Sequence, residues 1–177
     1  MGIVVGIDIG GSTTKIAGFN GEEMLLPVQI TASNAIASLF GAFGKFLYDN
    51  DLELIDIDQV NLTGVGSSNI KQKIYGLPTY KVDEFSANGV GGGYFAEGKE
   101  DFMVVSMGTG TSFVRVQNRI PTHLGGIGIG GGTITGLSKL MLNTDDVDKI
   151  QEMASEGNVA HIDLRIGDIS NKPLPGL

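Results

Sequence analysis

Apolar residues in this chain fall into short runs that stop abruptly at glycine and hydroxyl residues. The first run, around Val4 to Ile9, is rich in Val and Ile and reads as a strand over Met1–Ile9, buried on both faces. Gly10-Gly11-Ser12-Thr13-Thr14 breaks it as a tight hairpin turn, and the apolar pattern resumes through Ile16, Ala17 and Phe19. That places a second strand over Thr13–Asn20 and, after Asn20-Gly21, a third over Glu22–Ile30, an antiparallel meander. Ile36, Leu39, Phe40, Phe43, Phe46 and Leu47 then recur at helical spacing. The helix they predict is capped by Thr31 or Ser33 and runs to Leu47 or Tyr48, where Asp49-Asn50-Asp51 ends it.

A second buried strand is predicted over Asp58–Val65, ending in Gly64, Gly66, Ser67 and Ser68, another ligand-facing loop. A short helix over Asn69–Tyr75 follows, closed by Gly76 and Pro78, then a short strand over Thr79–Val82. Phe85–Phe95 reads as a helix although each glycine costs about 1 kcal/mol against alanine. A helix so built is expected to lie against something that needs close approach. Around Gly98 to Asp101 the opening pattern restarts: an apolar strand over Phe102–Met107, a turn at Gly108-Thr109-Gly110-Thr111-Ser112, and a returning strand over Phe113–Gln117. Leu124–Gly132 reads as a loop, Thr133–Leu142 as a helix, and Asp145 and Asp146 as the start of another helix to Ser155. Ile162–Ile169 fits neither pattern, and Pro173 to Leu177 reads as a connector.

Composition narrows the classes of function. The chain has 177 residues and a net charge of −8 with no basic stripe, which excludes a nucleic-acid backbone as partner. The absence of cysteine excludes disulfides, thiolate catalysis and thiolate-held metal clusters. Two widely separated histidines make no metal site. No secretory signal and no membrane-spanning apolar run is visible, so a cytoplasmic protein without a membrane partner is expected. The 28 glycines gather at strand–turn positions rather than in a Ser/Pro linker, which suggests several turns converging on one ligand.

The chemistry follows from the turns. Asp8 stands at a strand end beside a turn of little bulk, where glycine lets a phosphate approach the main chain. Gly10 and Gly11 supply N–H groups, Ser12, Thr13 and Thr14 hydroxyls, and Lys15 a positive charge, while Asp8 can hold Mg²⁺. The bland alternative is an ordinary hairpin with a glycine turn. The turn at Gly108, Thr109 and Gly110 repeats the device, so two hairpins in two lobes can grip one phosphate chain. Gly131 and Gly132, with a helix dipole behind them, are expected to present free N–H groups as a further anion site.

Gly-Ile-Asp-Ile-Gly-Gly-Ser-Thr-Thr-Lys at 6–15, Met-Gly-Thr-Gly-Thr-Ser at 107–112, Gly-Gly-Ile-Gly-Ile-Gly-Gly-Gly-Thr at 125–133 and Asp-Glu-Phe-Ser-Ala at 83–87 together resemble the type II pantothenate kinases. These belong to the superfamily of acetate and sugar kinases, Hsc70 and actin. The resemblance implies an α/β fold of the ribonuclease-H-like, actin/sugar-kinase type, with a complete first lobe at 1–98 and a partial second lobe at 99–177. It implies ATP and Mg²⁺ in the cleft, phosphorylation of pantothenate as the first step of coenzyme A biosynthesis, and a homodimer when full length. Glu84 then falls at the catalytic carboxylate, with a first-turn helix residue as its bland reading. Thr109 and Ser112 fall where the family contacts pantothenate, and Gly125 and His123 fall beside the substrate.

Two features depart from the family pattern. His123 stands where the family has Arg, and an imidazole cannot reproduce the planar fork of donors with which Arg clamps a polar group. The expected remainder of the second lobe, on the order of 100 residues, should follow Leu177, so the chain reads as a fragment. Rival readings are a kinase for another hydroxyl compound and a non-catalytic nucleotide- or acyl-CoA-binding relative. An activating ATPase of the dehydratase-activator kind ranks last, because those proteins are built around cysteine-held clusters.

Overall fold

The opening run becomes β1 (Ile3–Ile9), whose alternation sends Ile3, Val5, Ile7 and Ile9 into the core and leaves Val4, Gly6 and Asp8 on the other face. Burial on both faces, expected from the apolar run, is corrected: Gly6 carries no side chain and Val4 is 38% exposed, so only one face is apolar enough to be closed over. The computed structural model describes residues 2–31, 34–164 and 169, and the chain divides into two compact units, residues 1–132 and 133–177.

β2 (Thr13–Asn20) runs back antiparallel to β1, with Asp8 opposite Lys15 and Ile9 opposite Thr14. The expected third strand is two, β3 (Glu23–Met24) and β4 (Val28–Thr31), both paired with β2. The break has a local cause. Pro27 has no N–H to give a ladder, and Leu26 turns its N–H and C=O to the side chain of Asn50, at 2.9 and 3.0 Å. α1 (Ala35–Asp49) is capped by Asn34, whose side chain accepts from the N–H groups of Ile36 and Ala37. The expected caps are therefore wrong: Thr31 ends β4, and Ser33 lies outside the described residues. α1 buries Leu39, Ala42, Phe43 and Phe46 against the apolar face of β1, while Ile36 of the helical pattern points outward. Phe46 fits because Gly18 of β2 has no Cβ; one placed there would lie 2.5 Å from the ring.

β5 (Ile57–Thr63) returns parallel to β1, and β6 (Thr79–Lys81) lies parallel to β5, giving the strand order β3-β2-β1-β5-β6 with β4 also on β2. β5 stops at Thr63 rather than Val65, because Gly64 takes a φ of 83°. The helix expected over Asn69–Tyr75 is absent. Two short 3₁₀ turns, Val65–Asn69 and Ile74–Gly76, replace it, and both Ile70 and Ile74 are buried. Two turns' worth of helix gains too few hydrogen bonds to outweigh seating both isoleucines.

α2 (Glu84–Phe95) leads to a second, antiparallel sheet of β7 (Asp101–Met107), β8 (Thr111–Gln117) and β9 (Ile120–Ile127), ordered β7-β8-β9. Asn118 and Arg119 join the last two strands, both with positive φ, as a primed hairpin turn requires. The loop expected from Leu124 is thus partly strand. Its alternation is hidden by glycines and by a bulge: Phe113 faces Gly125 and Val114 faces His123, leaving Leu124 over. The close approach expected of α2 is present. A Cβ at Gly89 would overlap Pro121, and one at Gly92 would overlap Val104.

α3 (Gly131–Leu142) begins two residues before the expected Thr133. In the second unit, α4 (Val147–Glu156) is capped by Asp146, which accepts from the N–H groups of Asp148 and Lys149, and Val159–His161 forms a 3₁₀ turn. Residues 165–168 of the ambiguous tail and the expected connector at 173–177 lie outside the described residues. Among the described residues no helix is long and apolar enough to cross a membrane.

Phe46 and Gly18 together test this core. Phe46→Ala should cost about 3–5 kcal/mol, the range for emptying a packed aromatic site, read as a lower urea midpoint at unchanged slope. A loss below about 1 kcal/mol would show that Phe46 does not fill the space under Gly18.

Candidate active site

Three parallel strands end at one edge. Asp8 and Ile9 close β1, Thr63 closes β5 level with Asp8, and Lys81 closes β6 level with Leu62. The carboxyl ends of parallel strands are where α/β sheets bind ligands. The chain leaves β6 through Val82, which still donates to the Leu62 carbonyl at 2.8 Å, and reaches Asp83 and Glu84 at once. The topology thus brings Asp8 and Glu84 to the same edge of the sheet.

Asp8 is half-exposed and paired with Lys15 across the hairpin at 3.3 Å. Its other oxygen lies over Gly64, where a Cβ would overlap it and would stand 2.5 Å from the Ile9 carbonyl oxygen. Thr63, the neighbour of Asp8 in register, has a buried hydroxyl with no hydrogen-bond partner. Sequence reading missed Thr63. Its signal was a polar residue ending an apolar strand just before glycine, as Asp8-Ile9 stands before Gly10.

The first turn closes by a bond from the Gly10 N–H to the Thr13 carbonyl, 2.9 Å. Ser12 lies at its exposed tip. Thr14 is a correction: it is fully buried on the core face opposite Ile9, and its hydroxyl has no partner, so it does not join Ser12 and Thr13 in facing the turn. The alternation of β2 explains this, since Thr14 shares a face with Ile16 while Lys15 takes the other.

The second turn meets the first. The hydroxyls of Ser12 and Thr109 approach to 3.4 Å, and a Cβ on Gly11 would touch the Thr109 hydroxyl. Gly108 donates to the Gly110 carbonyl at 2.8 Å, and Ser112 follows in β8, half-buried between Ser106 and Gly126. The start of α3 braces this turn. Gly131 donates to the Gly108 carbonyl at 2.8 Å and Gly132 to the Thr109 carbonyl at 3.2 Å. The free N–H groups expected at these two positions are therefore committed within the chain. A Cβ on Gly130 would lie 2.7 Å from the main chain of Gly110.

Glu84 is the first residue of α2 and is partly buried. Asp83 caps the helix, accepting from the Ser86 N–H at 2.9 Å. That bond, helped by the Ser86 hydroxyl, the Phe85 N–H and, least, the nearby His123, holds the Asp83 carboxyl below its usual range. His123 is exposed within β9, and its ring stacks on Phe85 at 3.6 Å between centroids and 8° between planes. Gly125, two residues on, takes a φ of 141° beside the bulge.

Residues 94–175 match the family model described as Fumble. A type II pantothenate kinase of Bacillus cereus (strain G9842) is 33% identical over 179 residues, which cover 93% of this chain and 59% of that protein. The chain is a homologue of the type II pantothenate kinases. Another of them, from Staphylococcus epidermidis (strain ATCC 35984), is 28% identical over 97% of this chain and 63% of its own length, so the chain spans about three-fifths of the length of these curated relatives. Among solved structures, component A of (R)-2-hydroxyglutaryl-CoA dehydratase from Acidaminococcus fermentans superposes with a TM-score of 0.72 at 16% identity, over 89% of this chain and 60% of that one. The activator of the 2-hydroxyisocaproyl-CoA dehydratase from Clostridium difficile, solved with ADPNP, gives 0.68 at 17%, over 92% and 58%. At such identity these likenesses speak to fold alone. The chain has the α/β fold of the actin and sugar-kinase class.

Two outcomes are expected from this geometry. Gly130→Ala should force the main chain at Gly110 to move, lowering stability by about 1–3 kcal/mol, as overpacking does, and shifting the Thr109 amide resonance; an unmoved Thr109 signal would show that the turn is not braced there. Asp83→Ala should lower the melting temperature at neutral pH. Because the folded pKa of Asp83 is depressed, its contribution is complete above the ordinary carboxylate value and is lost as pH falls through the folded one. The gap between variant and wild type should therefore close in melts taken from about pH 5 downward, and a gap constant with pH would contradict the charged cap.

Proposed function

We propose that the protein carrying this chain transfers the γ-phosphoryl group of ATP to the primary hydroxyl of pantothenate, opening coenzyme A biosynthesis. The observation that carries the reading is the meeting of two glycine–hydroxyl turns, through Ser12 and Thr109, at the sheet edge where β1 bears Asp8 and where the chain passes from β6 to Glu84 at the start of α2. Homology to type II pantothenate kinases supports the substrate class.

The residues suit Mg²⁺ held mainly by phosphate. Mg²⁺ commonly takes one or two protein carboxylates and completes its shell with phosphate oxygens and water. Asp8 is such a carboxylate, half-exposed, with the unpartnered Thr63 hydroxyl beside it. No group of three metal-binding side chains stands among the described residues. When bound, the ion supplies charge neutralisation on the phosphates. Lys15 and the turns at Gly10–Thr13 and Gly108–Gly110 hold the phosphate chain, with the second turn braced by Gly131 and Gly132. Thr109 and Ser112 orient the acceptor from the second turn, and Gly125 leaves room beside them. Glu84 accepts the proton of the attacking hydroxyl as the phosphoryl group arrives. A homodimer and a cytoplasmic setting complete the proposal.

The test compares the wild type with two variants. Asp8→Ala should abolish Mg²⁺-dependent ATP binding by calorimetry with the fold retained. Glu84→Gln should keep ATP binding and lose roughly 10²–10⁴-fold in turnover, the usual general-base contribution. Near-normal turnover in Glu84→Gln would refute the base. ATP binding in the wild type without phosphorylated pantothenate would favour the non-catalytic reading.

A further inference from the structure

The carboxylate of Glu84 makes no hydrogen bond or ion pair among the described residues, yet the residues on either side of it are anchored. Asp83 caps α2, and Phe85 lies flat on His123. The helix between them needs such anchors. Four of its twelve residues, Gly89, Gly91, Gly92 and Gly93, are glycine, and Asn88 carries a buried side-chain nitrogen with no partner. Glycine-rich helix gains little from its own propensity. Packing fixes its later turns, where Gly89 and Gly92 lie on Pro121 and Val104. Its first turn has the Asp83 cap, whose bonds from Ser86 and Ala87 both lead to one residue, and the Phe85 ring, which is a plane. A cap bond alone lets the turn pivot; a stacked plane at 3.6 Å stops the pivot, because tilting either ring breaks the contact. His123 is itself well placed as the fixed partner, since it sits within the β8–β9 ladder opposite Val114, which is fully buried.

We propose that His123 is a positioning residue: through the Phe85 ring it fixes the first turn of α2 and so the direction of Glu84. The proposal rests on the reading of Glu84 as the base. It gives His123 a role that the imidazole ring plane performs, rather than a contact of its nitrogens with substrate. A reacting group displaced by about 1 Å loses on the order of 100-fold in rate, so a small pivot is enough to matter.

The test uses His123→Ala, which removes the stack, and His123→Phe, which keeps a ring and removes the nitrogens. Amide hydrogen exchange at Ser86 and Ala87, whose N–H groups bond to the Asp83 side chain and carbonyl, reads the first turn directly in the unliganded chain. His123→Ala should speed that exchange about tenfold and lower kcat roughly 10–100-fold, with the KM for ATP nearly unchanged. His123→Phe should restore slow exchange and most of kcat. Unchanged exchange in His123→Ala overturns the anchor. Slow exchange with kcat still low in His123→Phe also overturns the proposal, because the nitrogens would then be what acts. Near-normal turnover in Glu84→Gln removes the base reading and the catalytic half of the proposal, while exchange still decides whether His123 anchors α2.

Discussion

Main chain laid directly against main chain is the constraint on which the site depends. Gly130 lies over Gly110 at a distance that no side chain would permit, and the two N–H groups after it bond to the carbonyls of Gly108 and Thr109. The turn at Gly108–Gly110 is therefore held from behind by backbone, with the Thr111 hydroxyl adding a bond to the Ile129 carbonyl at 2.7 Å, and it is this turn that brings Thr109 to Ser12. The same device works at the sheet edge, where Gly64 makes room for the Asp8 carboxylate and the Ile9 carbonyl. Side chains at these positions would push the strand ends and turns apart. The glycines thus set the distance between the two hairpins and between β1 and the loop after β5.

That arrangement has a cost elsewhere. Glycine weakens α2, and the helix is kept by what it lies on: Pro121, Val116, Val104 and Phe102 of the second sheet, and Phe19 of the first, which meets Tyr94 edge-on at 5.4 Å. The helix that starts with Glu84 is consequently defined more by its neighbours than by its own sequence. Its first turn sits farthest from the glycine contacts, which is where the Asp83 cap and the Phe85–His123 stack are found.

This division of labour also explains what the sequence made legible. Strands with side-chain alternation, such as Thr13–Asn20, and turns marked by glycine and hydroxyl runs were readable because local chemistry decides them. So was the strand-end place of Asp8. Features decided by distant partners were not. The split of the third strand depends on Asn50, twenty-four residues beyond Leu26. The inward turn of Thr14 depends on which face of β2 meets α1, and a run of three hydroxyl residues does not announce it. β9 was hidden because Gly125 and Gly126 blank out its alternation and Leu124 shifts its register. The commitment of the Gly131 and Gly132 N–H groups depends on carbonyls twenty-three residues earlier, those of Gly108 and Thr109.

Charge sets the last condition on the site. A chain of net charge −8 repels a polyanion at a distance, though salt confines that repulsion to about 8–10 Å. Attraction must then be local. Lys15 pairs with Asp8 across the hairpin, and a half-exposed pair of this kind is worth at most about 1 kcal/mol and yields easily to a competing ligand. On the proposed function, the rest of the attraction comes from neutral donors at short range, such as the Ser12 and Thr109 hydroxyls where the two turns meet, because the Gly10 and Gly108 N–H groups are already bonded within their own turns. Neutral donors act only when they converge on the same oxygens, and convergence depends on how close the turns can come. On the proposed function, in a chain of net charge −8, the glycine contacts that set this spacing therefore matter to phosphate binding alongside the charged residues.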